Sequence, residues 1–146
     1  MLGSHFWRVV KTLATVDRSE GLAVELEIDV REDQGLFIIS AKGEIDVWTA
    51  DALRQSLHDL QADGQPRVIV DLTEVPFVDS TGIGVLVGGL KRAREGGGSL
   101  HLVVSSAGVR KVLRITSLDQ VFPVHDTLSD ATAVARTLGA TADVDR

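Results

Sequence analysis

The chain has 146 residues, no cysteine and a formal net charge of −6. That length fits one domain with its own core, and the missing thiols exclude disulfides, zinc–thiolate sites and thiol catalysis. The acidic balance argues against a binder of nucleic-acid phosphates, and with 44% hydrophobic but only 4% aromatic residues the core must come from Leu, Val, Ile and Ala.

Residues 1–20 read as a mobile extension before a single domain over residues 21–139. Within the extension, Phe6-Trp7-Arg8-Val9-Val10-Lys11-Thr12-Leu13 is mildly amphipathic. Arg8 and Lys11 break its apolar run, which makes it a poor signal peptide. Its functional alternative is a docking arm. Elsewhere no run approaches the roughly eighteen apolar residues of a membrane span, so a cytoplasmic chain without membrane contact is expected. Val24-Glu25-Leu26-Glu27-Ile28-Asp29-Val30 alternates as a strand with one wet face does. Asp33-Gln34-Gly35 is a turn, and Leu36-Phe37-Ile38-Ile39-Ser40-Ala41 its antiparallel neighbour.

A loop over residues 43–48 follows. Thr49 is placed to cap a helix in which Ala50, Leu53, Leu57 and Leu60 share one face. Gly64 and Pro66 stop it. Residues 67–72 predict a buried strand and 81–95 a helix, closed by Gly96-Gly97-Gly98. Residues 99–104 predict another strand. Ser106 is placed to cap a short helix with Val109, Val112 and Leu113 inward. Residues 120–124 predict an edge strand, because they contain Pro123. Thr127 to Leu138 read as a last helix ended by Gly139, and residues 140–146 as a disordered tail. Two strands followed by repeated helix–strand units predict an α/β fold, with a mixed sheet of about five strands and about four helices.

The most informative stretch is Val68-Ile69-Val70-Asp71-Leu72, a short loop, then Val78-Asp79-Ser80-Thr81-Gly82-Ile83-Gly84. It puts a serine hydroxyl where a loop meets a helix N-terminus. Asp, Ser and Thr are ordinary N-cap residues, and a cap is the plain reading. The same place favours added negative charge, because free backbone N–H groups and the helix dipole attract anions. A hydroxyl that gains and loses phosphate there can act as a switch.

The segment from Asp71 to Gly84 resembles the phosphorylation-site signature of the anti-sigma factor antagonists in the STAS domain family. Gly43-Glu44-Ile45-Asp46 resembles a second family element upstream. The run Val85-Leu86-Val87-Gly88-Gly89-Leu90-Lys91-Arg92 and the segment Arg114-Ile115-Thr116-Ser117-Leu118 look like actinobacterial members. The resemblance covers about residues 22–138 and implies a single STAS-type domain. It implies an anti-anti-sigma factor that binds an anti-sigma factor, itself an ATP-dependent serine kinase, and so releases a sigma factor for transcription. Phosphorylation of Ser80 would end that binding, and a PPM-type phosphatase would restore it. ATP and magnesium would belong to the kinase, leaving this chain without a cofactor. The resemblance assigns kinase recognition to Asp46 and, more weakly, to Glu44. Around Ser80 it adds Asp79, Thr81 and Gly82 as partner-binding residues.

Each of these residues has a plainer reading. Asp46 can be a turn acid that helps Thr49 satisfy free N–H groups. Trp48 can be a loop anchor or a contact hot spot. Gly82 and Gly84 can permit close backbone approach, and Gly88-Gly89 tight helix packing, against a cost of about 1 kcal/mol per helical glycine. Lys91, Arg92, Arg94, Arg110, Lys111 and Arg114 form either a solvated face or a steering patch for an acidic partner.

Other chemistries fit worse. A dinucleotide-binding G-x-G-x-x-G needs glycine at position 87, where Val87 stands. Ser80 lacks the G-x-S-x-G context of a hydrolase nucleophile. A triad would need His101 or His125 to fold beside it. The four histidines lack metal-binding spacing. The remaining alternative is a non-switching STAS scaffold or small-ligand module, since one fold serves many functions.

Overall fold

In the computed structural model, which describes residues 8–17, 23–62, 64 and 66–144, the alternating segments become one mixed six-stranded sheet. Its strands are β1 (Arg8–Asp17), β2 (Ala23–Asp33), β3 (Leu36–Lys42), β4 (Arg67–Glu74), β5 (Ser99–Val103) and β6 (Val124–His125), and they lie side by side in chain order. The first three pair antiparallel and the last four parallel. The β2–β3 hairpin turns through Gln34 and Gly35, at φ 53° and 80°. Two successive positive φ values suit the right-handed twist of paired strands.

The parallel strands are joined by α1 (Ala50–Gln61), α2 (Ser80–Gly96) and α3 (Ala107–Ile115), and α4 (Leu128–Val144) follows β6. Strand alternation sorts the core into two layers. Leu26, Ile28, Ile39, Val68, Val70, Leu72, Leu100 and Leu102 join Leu53, Leu57, Leu86, Leu90, Val109 and Leu113 of the first three helices. On the opposite face Leu36, Ile38, Ile69 and Val103 meet Ala131 and Ala135 of α4.

The mixed sheet and four helices are as expected, with local differences. Arg8–Asp17, placed by the sequence in a mobile extension, is a strand on β2. Its Val9, Val10, Thr12, Thr15 and Val16 are β-branched and suit a strand. The backbone of α4 continues to Val144, past the stop expected at Gly139. The rest of the expected extension (residues 1–7 and 18–20) and of the tail (145–146) lies outside the described residues. Residues 118–120 form a 3-10 turn, and the edge strand is only Val124–His125. Pro123 contributes its carbonyl, which accepts from the Leu102 N–H at 2.9 Å.

Candidate functional site

The site lies where two loops are stitched together. Residues 43–49 leave β3, and residues 75–79 leave the neighbouring β4. The Ile45 N–H donates to the Phe77 carbonyl and the Asp79 N–H donates to the Ile45 carbonyl, both at 3.0 Å. This makes an isolated parallel bridge between Ile45 and Val78. Ile45, Val75 and Val78 are buried and anchor both loops in the core. The two motifs separated by some thirty residues of sequence thus become one surface.

Asp79 is the N-cap of α2, and its carboxylate accepts from the Gly82 N–H at 3.0 Å. Ser80 is therefore the first helical residue and is exposed, as is Thr81. Gly82 is buried. A β-carbon there would stand 2.6 Å from Ile45 Cγ2 and 2.7 Å from Val78 Cγ1. Gly82 thus shapes the site from beneath, where Ile45 and Val78 leave no room for a side chain. Gly84 is exposed, and a β-carbon on it would meet nothing within 4 Å.

Asp46, not Thr49, organises the start of α1. Its Oδ1 accepts from the Trp48 N–H at 2.9 Å and from the Thr49 N–H at 3.1 Å. Thr49 is buried, makes no cap bond, and donates its hydroxyl to the Glu44 carbonyl at 2.8 Å. A carboxylate oxygen accepting two successive N–H groups takes over the capping expected of the threonine. The Glu44 side chain is exposed. This tight turn pushes Val47 and Trp48 outward, 64% and 48% exposed, while Phe77 on the other loop is 47% exposed. Sequence reasoning does not single out Phe77, an apolar residue in an irregular segment where Val75 and Val78 are buried and Pro76 and Phe77 are both exposed.

The histidines among the described residues take no part. Along β5, Leu100 and Leu102 face the layer that holds α2, so His101 points to the α4 side of the sheet. There it is buried, with Nδ1 3.1 Å from His125 Nε2 and the two rings stacked. Burial first, then the neighbouring His125, pushes the His101 pKa down to about 4. No serine–histidine pairing arises for Ser80 among the described residues, and His, Asp and Glu form no three-ligand metal cluster there. Half of the basic patch is engaged within the fold. Arg92 donates to Gln61, Arg94 to the Val121 carbonyl, and Arg110 to the Val104 carbonyl and Asp126. Two surface depressions, of about 430 and 520 Å³, centre on Arg92 with His58 and on Asp29 with Asp71; neither is lined by Ser80, Asp46 or Trp48. No helix among the described residues is long and apolar enough to cross a membrane.

The family model of the STAS domain matches residues 27–131. The anti-sigma-B factor antagonist of Bacillus subtilis (strain 168) is 34% identical over 101 residues, covering 69% of this chain and 92% of that protein. The anti-sigma F factor antagonist of Paenibacillus polymyxa is 26% identical over 104 residues, covering 70% and 89%. The crystal structure of an anti-sigma factor antagonist from Mycobacterium paratuberculosis superimposes with a TM-score of 0.70 at 31% identity, over 76% of this chain and 94% of that one.

Proposed function

Because the chain belongs to the STAS domain family and its relatives there are anti-sigma factor antagonists, we propose that it is a phosphorylation-controlled partner switch. Unphosphorylated, it binds an anti-sigma factor that is also a serine kinase and thereby releases a sigma factor. Phosphorylation of Ser80 ends the binding, and a PPM-type phosphatase resets the switch. The chain itself needs no cofactor and performs no catalysis in this scheme.

The observation that carries the reading is the bridge between Ile45 and Val78. It joins the loop that carries exposed Val47 and Trp48 to the segment that carries exposed Phe77 and Ser80. Large apolar side chains on a surface mark contact sites when they cluster. An exposed hydroxyl on this surface can accept phosphate, and the resulting charge of about −1.5 to −2 would oppose burial of the surface under a partner. Glu44 and Asp79 on these loops and Thr81 in the first turn of α2 join Asp46 as partner-facing candidates.

The test is incubation with the cognate anti-sigma factor kinase, ATP and magnesium, followed by phosphopeptide mapping. Stoichiometric phosphate is expected on Ser80 and none on Ser80→Ala. Ser80→Glu should bind the kinase much more weakly than the wild type. Full labelling of Ser80→Ala would reject the assignment, and Thr81 would then be the acceptor to examine.

A further inference from the structure

The loop that presents Phe77 and Ser80 is held from both sides. On one side stand the bonds to residues 43 and 45: the Gly43 N–H donates to the Glu74 carbonyl at 3.1 Å, and Ile45 exchanges its two bonds with Phe77 and Asp79. On the other side stands the approach to α3. The Ser105 hydroxyl donates to the Thr73 carbonyl and the Ser106 hydroxyl to the Pro76 carbonyl, each at 3.1 Å. The first turn of α3 comes so near that a β-carbon on Gly108 would stand 3.0 Å from the Pro76 oxygen.

We propose that the first turn of α3, through Ser106 and Gly108 with help from Ser105, is a positioning element that fixes where Phe77 and Ser80 stand. The inference rests on the switch reading above for its functional half and on geometry alone for its structural half. The Ser106 oxygen does two jobs at once. It accepts from the Val109 N–H at 3.3 Å, as the N-cap of α3, and it donates its proton to Pro76. A hydroxyl both donates and accepts at one atom, which an ionised carboxylate oxygen cannot do. A capping role alone would be met equally well by aspartate, which is among the best N-caps. Aspartate has no proton to give when ionised, and its oxygen would face the Pro76 carbonyl as a second acceptor. Pro76 lacks an N–H, so the segment around it has fewer backbone bonds with which to hold itself. The same close approach explains glycine at position 108, where a side chain would press on the carbonyl.

The substitutions separate capping from positioning. Ser106→Asp keeps the cap and loses the donated bond; Ser106→Thr keeps both. Gly108→Ala leaves both hydroxyls in place and pushes on Pro76 directly, while gaining about 1 kcal/mol of helix propensity that protects the fold. Two measurements are made on the full chain. Amide NMR spectra should show that Ser106→Asp and Gly108→Ala shift residues 77–83 while the melting temperature stays near the wild-type value, and that Ser106→Thr leaves residues 77–83 in place. Misplacing a reacting group by about 1 Å costs up to about a hundredfold in rate. The kcat/KM for phosphorylation of Ser80 should therefore fall at least about tenfold in the two displacing variants and recover in Ser106→Thr. Shifts confined to residues 105–110, or unchanged phosphorylation in both displacing variants, would overturn the proposal. If the wild type itself accepts no phosphate at Ser80, the switch reading falls, and the amide spectra still decide whether α3 positions the loop.

Discussion

Gly82 and Gly84 sit two residues apart at the start of one helix, yet the same substitution should act on them with opposite sign. At Gly84 a methyl group meets nothing within 4 Å. Alanine there removes the backbone entropy cost of a helical glycine and should stabilise the fold by about 1 kcal/mol. For a domain of this size that is a rise of about 4 °C in melting temperature. At Gly82 the methyl would stand 2.6 Å from Ile45 Cγ2 and 2.7 Å from Val78 Cγ1. Both neighbours are buried β-branched side chains with little rotamer freedom. Overpacking typically costs about 1–3 kcal/mol, which outweighs the propensity gain, so Gly82→Ala should lower the melting temperature. Urea and thermal melts of the two variants check the signs. The functional half follows from position: Gly84 lies one turn beyond Ser80 on the same exposed face. If a partner packs against that face, Gly84→Ala stabilises the free chain while weakening the complex. A lower melting temperature for Gly84→Ala would refute the structural reasoning. A higher one with unchanged partner affinity would remove this face from the interface.

Asp46→Ala should cost about 0.5–2 kcal/mol through the lost cap, whereas Asp46→Asn keeps an accepting oxygen; weaker kinase binding by Asp46→Asn at wild-type stability would isolate a role for the charge, and normal binding would leave Asp46 its turn role alone. His101 titrates at about 4 in the folded chain against 6.5 when unperturbed, so below pH 6.5 the unfolded chain takes up a proton that the folded chain refuses. Its contribution is fully present above pH 6.5 and is lost as the pH falls towards 4, at up to about 1.4 kcal/mol per pH unit. Urea melts across that range should show His101→Gln with a flatter dependence than the wild type, and equal slopes would reject the assignment.

The sequence made the architecture legible wherever side-chain period and punctuation agreed. The alternation of residues 24–30, the Gly35 turn, the Ser106 cap and the glycines after α2 all mark elements that form. Gly97 closes α2 in the left-handed conformation at φ 84°. What failed did so for identifiable reasons. Arg8 and Lys11 interrupt the apolar pattern of β1, although edge strands tolerate charged residues. Thr49 and Asp46 are both eligible caps, and sequence spacing does not show which one faces the free N–H groups. His101 sits in an apolar strand and is matched only by His125, whose register becomes visible when β6 pairs with β5. The bridge from Ile45 to Val78 joins the loops that follow the neighbouring strands β3 and β4, and local periodicity carries no trace of it. The resemblance between motifs linked those loops; the hydrogen bonds give the physical reason.

The same geometry bears on how a phosphate at Ser80 would be read. Its site is the first residue of α2, where backbone N–H groups lack intrahelical partners and a negative charge is favoured. Asp79 already places a carboxylate there, bonded to the Gly82 N–H, so the helix start tolerates an anion. In water the high dielectric keeps the repulsion between phosphate and Asp79 to about 1 kcal/mol per pair of unit charges at about 4 Å. The loops beneath are pinned by two bridge hydrogen bonds and by buried Ile45 and Val78, which resists a large rearrangement. A partner covering Val47, Trp48 and Phe77 would instead have to strip water from the phosphate, at a cost of several kcal/mol. Each 1.4 kcal/mol is about tenfold in affinity. On the proposed reading the free fold therefore barely registers the modification and the complex registers it strongly, so the signal is expressed at the contact surface and the sheet serves as a rigid mount.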